Sequence, residues 1–132
     1  MNTILIVEDE FLIAASLEDM VQELGYRSVG IADDQSSALA LASEEIDIAL
    51  VDVNLADGAS GPHIGKQLAD LFGISVVFVT ANPEQVADGV PGALGVVSKP
   101  VNSSSLSQVL DYASAAKAGE TAAPPSNMRV FA

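Results

Sequence analysis

Thr3-Ile4-Leu5-Ile6-Val7-Glu8-Asp9-Glu10 opens the chain with five residues that are β-branched or leucine and then stops at three acids. A short apolar run without polar alternation reads as a strand buried on both faces, the habit of a parallel sheet. The same grammar recurs downstream. Ile46–Val51 stops at Asp52, Val76–Val79 stops at Thr80, and Gly95-Val96-Val97 stops at Ser98-Lys99-Pro100. Tyr26–Ala32 is a weaker strand of the same kind.

Helical patterns fill the intervals. From Phe11 to Leu24 the residues Ile13, Leu17, Met20, Val21 and Leu24 follow helical spacing, and Gly25 stands where a left-handed cap belongs. Ser36–Ser43 is rich in Ala and Leu. After the loop Asp57-Gly58-Ala59-Ser60-Gly61, Pro62 suits a first helical turn. That helix reaches about Phe72 with Ile64, Leu68 and Leu71 on one face. Ser103–Lys117 forms the last helix, with Leu106, Val109, Leu110 and Ala113 inward. Between Asn82 and Leu94, Pro83 can start a helix but Gly89, Pro91 and Gly92 break it, so one short or irregular helix is expected there.

Strands alternating with helices imply right-handed crossovers. The expected fold is α/β and flavodoxin-like: a doubly wound five-stranded parallel sheet in the order 2-1-3-4-5, with helices on both faces. Residues 1–118 make this domain. Residues 119–132 read as an Ala/Pro-rich C-terminal tail with no output domain, although Met128-Arg129-Val130-Phe131 is expected to pack on a neighbouring chain or on the domain's own surface.

The composition narrows the function. The chain has 132 residues, enough for one core, and 49% are apolar, which is not a disordered composition. Five basic residues against eighteen acidic ones give a net charge of −13, so direct nucleic-acid binding, which needs a basic footprint, is not expected. No apolar run approaches the ~20 residues of a membrane helix. The N-terminus has neither a basic region nor a cleavage site, so a cytoplasmic protein is expected. With no cysteine, disulfides, thiol catalysis and Cys-ligated zinc are excluded.

The strand ends carry the chemistry. In a doubly wound sheet, ligands sit beyond the carboxyl ends of the strands, near the switch between strands 1 and 3. Glu8, Asp9, Asp52, Thr80 and Lys99 all fall on that edge. Carboxylates ~4 Å apart repel by on the order of 4 kcal/mol per pair at a surface-like dielectric. Such a cluster holds either protons or a cation. Oxygen ligands without His or Cys select a hard ion, and Mg²⁺ with retained waters fits best. Asp52 is the candidate nucleophile, since carboxylates form aspartyl phosphates. Lys99 and the Thr80 hydroxyl are placed to neutralise phosphoryl oxygens.

Four stretches together resemble the receiver domains of two-component response regulators. They are Ile4–Glu10, Ala49-Leu50-Val51-Asp52-Val53-Asn54-Leu55, Val77-Phe78-Val79-Thr80-Ala81 and Ser98-Lys99-Pro100. The resemblance runs from Met1 to about Ala118. It implies that Asp52 accepts a phosphoryl group, and that Asp9, Asp52 and the Asn54 backbone carbonyl ligate Mg²⁺ with Glu8 acting through water. It also implies that Thr80 is the switch hydroxyl, that Lys99 pairs with the phosphoryl group, and that Lys99–Pro100 is cis. The function implied is a single-domain response regulator, not an enzyme. It would be charged by a sensor histidine kinase or histidine phosphotransfer protein and would act on a downstream protein that the sequence does not name. The oligomeric state stays open, a homodimer included.

The chain departs from the pattern in places. The aromatic residue usual three positions before the lysine is Val96 here. The loop after Asp52 lacks its usual early proline, and the helix between Thr80 and Lys99 is broken, which implies a modified output surface. Two other functions share parts of the pattern. A pseudo-receiver would keep the fold without phosphorylation, and a haloacid-dehalogenase-type phosphatase would need a second Asp where Asn54 stands. His63, the one histidine, reads as a surface or packing residue.

Overall fold

The odd and even residues of the first run part company on folding. Leu5 and Val7 enter one apolar cluster and Ile4 and Ile6 the other, so β1 (Thr3–Val7) is covered on both faces. The computed structural model describes residues 2–131, and Met1 and Ala132, the ends of the two ranges read above, lie outside them. The elements that follow are α1 (Phe11–Glu23), β2 (Arg27–Ala32), α2 (Gln35–Leu41), β3 (Ile48–Val51), α3 (Gly61–Phe72), β4 (Ser75–Thr80), β5 (Ala93–Ser98), α4 (Ser103–Lys117) and β6 (Met128–Val130).

The sheet has the order β2-β1-β3-β4-β5-β6. The first five strands are parallel, in the order read from the sequence. The five-strand count is corrected to six, because Met128–Val130, inside the stretch read as tail, pairs antiparallel with β5. The surface it packs on is the domain's own.

The two clusters assign the helices to faces. Ala38 of α2 and Ile64 and Leu68 of α3 join Leu5, Val7, Ala49, Val51, Val76, Phe78 and Val96. Ala14, Leu17 and Val21 of α1 join Ile4, Ile6, Ile48, Leu50, Val77 and Val97 on the other face, together with Leu106, Val109, Leu110 and Ala113 of α4. Burying a Val, Leu or Ile side chain contributes about 1.5–3 kcal/mol, so these interdigitated rows fix the strand register.

Local signals set the helix ends. α1 stops where Gly25 takes φ +92°, a backbone region other residues enter at a cost. α2 and α4 each begin in a capping box, Asp34 with Ser37 and Asn102 with Ser105. The expected helix over Ser36–Ser43 is shorter, ending at Leu41. Leu71, expected inward, is 61% exposed, since the stripe facing the sheet runs Ile64, Leu68 and Phe72 and leaves Leu71 to one side. Between Thr80 and Ala93 a single 3-10 turn, Pro83–Val86, is the one helical segment.

Candidate functional site

Three strands deliver acids or a lysine to one end of the sheet. β1 runs into Glu8 and Asp9, β3 into Asp52, and β5 into Lys99. The Lys99 Nζ donates to Glu8 Oε1 at 2.5 Å and to Asp52 Oδ2 at 2.8 Å. The other Asp52 oxygen, Oδ1, accepts from the Val53 N–H at 2.7 Å. Glu8 is almost fully buried and Asp52 nearly so, while Asp9 stands exposed at the rim. One ligand atom from each of Glu8, Asp9 and Asp52 lies within 4.8 Å of the others.

Charge explains the arrangement. Burial holds the Glu8 carboxyl above its ordinary range and the Asp52 charge adds to this, with the Lys99 and Glu10 N–H bonds opposing. Burial would lower Lys99, but its bonds to Asp52 and Glu8 together outweigh that and hold its ammonium above the ordinary value. One ammonium therefore faces three carboxylates. That imbalance, an all-oxygen donor set and an acid open to solvent fit a hard divalent cation that keeps waters.

Thr80 is wholly buried, and its Oγ1 accepts from the Asn82 N–H at 3.1 Å. It pairs with Ser98 across β4 and β5, and the Lys99 N–H donates to the Thr80 carbonyl at 2.9 Å. The threonine and the lysine thus sit on adjoining strand ends. Lys99–Pro100 is cis.

The loop after Asp52 is more ordered than its glycines imply. Leu55 and Gly58 exchange backbone hydrogen bonds at 2.8 and 3.0 Å, with Gly58 at φ +107°. Asp57 accepts from the Ser60 hydroxyl and from the Gln35 N–H, bonds that hold its carboxyl below the ordinary range and tie the loop to α2. Gly61 is a close approach: a Cβ there would overlap the Asp52 carbonyl oxygen and lie 2.6 Å from Val53 Cα.

Sequence reasoning named Glu8, Asp9, Asp52, Asn54, Thr80 and Lys99. The structure brings Glu8, Asp9, Asp52 and Lys99 into one pocket and sets Thr80 on the strand beside Lys99. Asn54 lies on the adjoining loop, and its side chain exchanges hydrogen bonds with Gln85 at 2.8 and 3.4 Å. That amide pair joins the Asp52 loop to the 3-10 turn and had no signal in the sequence. The role of Gly61 was partly legible, since a glycine just before Pro62 at a helix start is a marked position. His63, on α3, is outside the cluster.

Known proteins share the sequence pattern and the fold. The sequence profile described as "Response regulator receiver domain" matches residues 4–111. The phyllosphere-induced regulator PhyR of Methylorubrum extorquens is 38% identical over 113 residues, covering 83% of this chain and 42% of that protein. The sensory transduction protein RegX3 of Mycolicibacterium smegmatis is 31% identical, covering 80% of this chain and 47% of that one. The chain thus spans less than half the length of these relatives. The solution structure of the receiver domain of Erythrobacter litoralis PhyR superposes with a TM-score of 0.79 at 31% identity, covering 92% of this chain and 96% of that one. The structure of the anti-anti-sigma factor PhyR from Bartonella quintana gives 0.77 at 31% identity, covering 89% of this chain and 49% of that one. With that profile matched over residues 4–111, the chain belongs to the response-regulator receiver domain family.

Proposed function

We propose that this chain accepts a phosphoryl group on Asp52 from the phosphohistidine of a sensor histidine kinase or histidine phosphotransfer protein, and signals by a change of conformation. The observation that carries this reading is the Lys99 bridge to both Asp52 and Glu8. A lysine held at the acceptor by two carboxylates is placed to pass one of its N–H donors to an incoming phosphoryl oxygen. The Asp52 oxygen forms the new O–P bond as the donor's N–P bond breaks, and the donor imidazole leaves with the bonding electrons.

Asp9, Asp52 and the Asn54 carbonyl would hold Mg²⁺, with Glu8 reached through water. The ion supplies neutralisation of the carboxylates and of the phosphoryl charge. The phosphoryl group brings a charge of about −1.5 to −2, so Lys99 has to stay protonated, which its raised pKa secures. Thr80 exchanges the Asn82 N–H for a phosphoryl oxygen. An apolar hollow of 230 Å³ beside Lys99, bordered by Leu12, Leu17, Pro100 and Val101, and the exposed Phe11 and Leu12 give a phosphodonor a surface next to the acceptor.

The chain is not a turnover enzyme in this reading. The position that a dehalogenase-type phosphatase fills with an acid is Asn54, whose amide is paired with Gln85. No helix among the described residues is long and apolar enough to cross a membrane, and we place the reaction in the cytoplasm. Relatives include a protein described as an anti-anti-sigma factor, and a protein of the kind such a factor acts on is the partner we infer.

The test uses the full chain with Mg²⁺ and acetyl phosphate, read by intact mass. One phosphoryl group is expected on the wild type, none on Asp52→Asn and one on Asp57→Asn. Beryllofluoride should shift the amide signals of Asp52, Thr80 and Lys99. A chain that stays unlabelled and unshifted is a binding module that keeps the receiver fold without the reaction.

A further inference from the structure

The last described residues form a strand against β5, the strand that runs into Lys99. Met128, Arg129 and Val130 pair with Val97, Val96 and Gly95, and the Phe131 N–H donates to the Leu94 carbonyl at 2.9 Å. Gly95 is what admits the strand. A Cβ at that position would overlap the Arg129 carbonyl oxygen and stand 2.9 Å from the Met128 Cε and 3.1 Å from the Val130 Cα. Beyond it, the Phe131 ring lies 6.4 Å from the Phe78 ring, two residues before Thr80 on β4, and lines a hollow with Gly89.

The attachment is light. Three residues pair, and of residues 117–127, which lead into the strand, all but Pro125 are exposed. Two hollows of 530 and 420 Å³ open between the strand and the 83–92 segment. Met128 and Phe131 anchor it on the two core clusters, but a three-residue pairing and an exposed connector belong to the low-stability end of a fold.

The strand is also wired to the acceptor pocket. The Thr80 hydroxyl holds the Asn82 N–H, and Asn82 leads into the 3-10 turn whose following loop, through Gly89, walls the Phe131 slot. A rotation of Thr80 that carries Oγ1 toward a phosphoryl oxygen draws it away from the Asn82 N–H, and the wall is freed. We propose that Met128–Phe131 is a latch: it occupies the outer edge of β5 in the unphosphorylated chain and is released on phosphorylation, uncovering that edge for an extended segment of a partner protein. This rests on the reading of Asp52 as a phosphoryl acceptor. The resident strand defines the partner's chemistry as an apolar residue, a basic one, and an aromatic three positions after the first. The basic residue answers Glu84 and Asp88, which line the two hollows beside Arg129, and the net charge of −13. Strand addition to a free sheet edge is an established mode of peptide capture.

The experiment is amide hydrogen exchange on the full chain with Mg²⁺, with and without beryllofluoride. The Phe131 amide should lose at least tenfold in protection on adding the mimic, while the α4 amides are unchanged. Coupling is reciprocal, so Phe131→Ala should bind beryllofluoride about fivefold more tightly, at the low end of usual coupling, and Phe131→Leu should restore most of the wild-type value. A labelled peptide copying Ser126–Phe131 should bind the mimic-loaded chain and not the unloaded one. Unchanged Phe131 protection while Thr80 and Lys99 shift makes β6 a static part of the sheet and overturns the latch alone. So does an Phe131→Ala chain with wild-type affinity, or a peptide that fails to bind the loaded chain. If Thr80 and Lys99 do not shift at all, the phosphoryl reading fails and the latch goes with it.

Discussion

Replacing Gly61 by alanine puts one methyl group between the acceptor loop and the start of α3. The added Cβ would overlap the Asp52 carbonyl oxygen and lie 2.6 Å from Val53 Cα and 2.8 Å from Val53 O. All three neighbours are backbone, so no side chain can swing aside. Val53 Cα alone would have to retreat by about 0.8 Å to reach the 3.4 Å where ordinary contact begins. The strand before Asp52 is locked between β1 and β4, which leaves the loop and the helix end to absorb the displacement. Overpacking of this kind costs about 1–3 kcal/mol, a fall of roughly 3–12 °C in Tm for a domain of this size. The chemistry suffers more, because a misplacement of about 1 Å at a reacting group is worth up to about 100-fold in rate. Thermal unfolding followed by circular dichroism, and acetyl phosphate labelling followed by mass, give the two numbers. Gly58→Ala is the control: it faces open space and carries only the strain of φ +107°, so it should lose stability with little loss of labelling rate. A Gly61→Ala chain that melts and labels like the wild type would show that the loop does not rest on the helix start, and would refute the argument.

Lys99→Met removes the counter-ion from two buried carboxylates, and breaking such a pair costs about 3 kcal/mol. Denaturant unfolding should show that loss, and added Mg²⁺ should recover part of it if the acids bind the ion. The raised pKa of Lys99 means that its contribution is whole below the lysine's unfolded value and is lost as pH rises through the folded one, so alkaline unfolding should begin earlier in Glu8→Gln, which deletes one partner. Glu8 works in the opposite sense. Its folded pKa lies above its ordinary 4.5, so its ionisation costs stability at neutral pH and its protonation returns it as pH falls toward that value. Its carboxyl carbon should titrate above the ordinary glutamate range by NMR. Asp34→Ala removes the side-chain acceptor of the Ser37 N–H, one half of a capping box, and should cost about 1 kcal/mol, with labelling of Asp52 unaffected.

The acid pocket was legible because it depends on order along the chain. Glu8, Asp52, Thr80 and Lys99 each end an apolar run, and parallel strands must bring such ends to one edge. The strand register needed only the two-sided burial that Ile4–Val7 and Ile48–Val51 announce. β6 was not legible as a strand, because three residues are too few to show a period. What places them is a distant event, the missing side chain at Gly95. The exposure of Leu71 escaped for a different reason: both Leu71 and Phe72 fit the spacing after Leu68, and it is Phe72 that packs on the core. The Asn54–Gln85 pair joins residues far apart in sequence whose types are common on any surface.

The two banks of the acid pocket differ in stiffness. On one, the Leu55–Gly58 hairpin and the Asp57 bonds to Ser60 and Gln35 brace the loop against α2. On the other, a short 3-10 turn is held by a threonine hydroxyl, one amide pair and the buried Val86. In the proposed reading, a push delivered at Asp52 would be borne by the first bank and spent as movement in the second, so that the direction in which news of the event leaves the domain is set before any partner arrives.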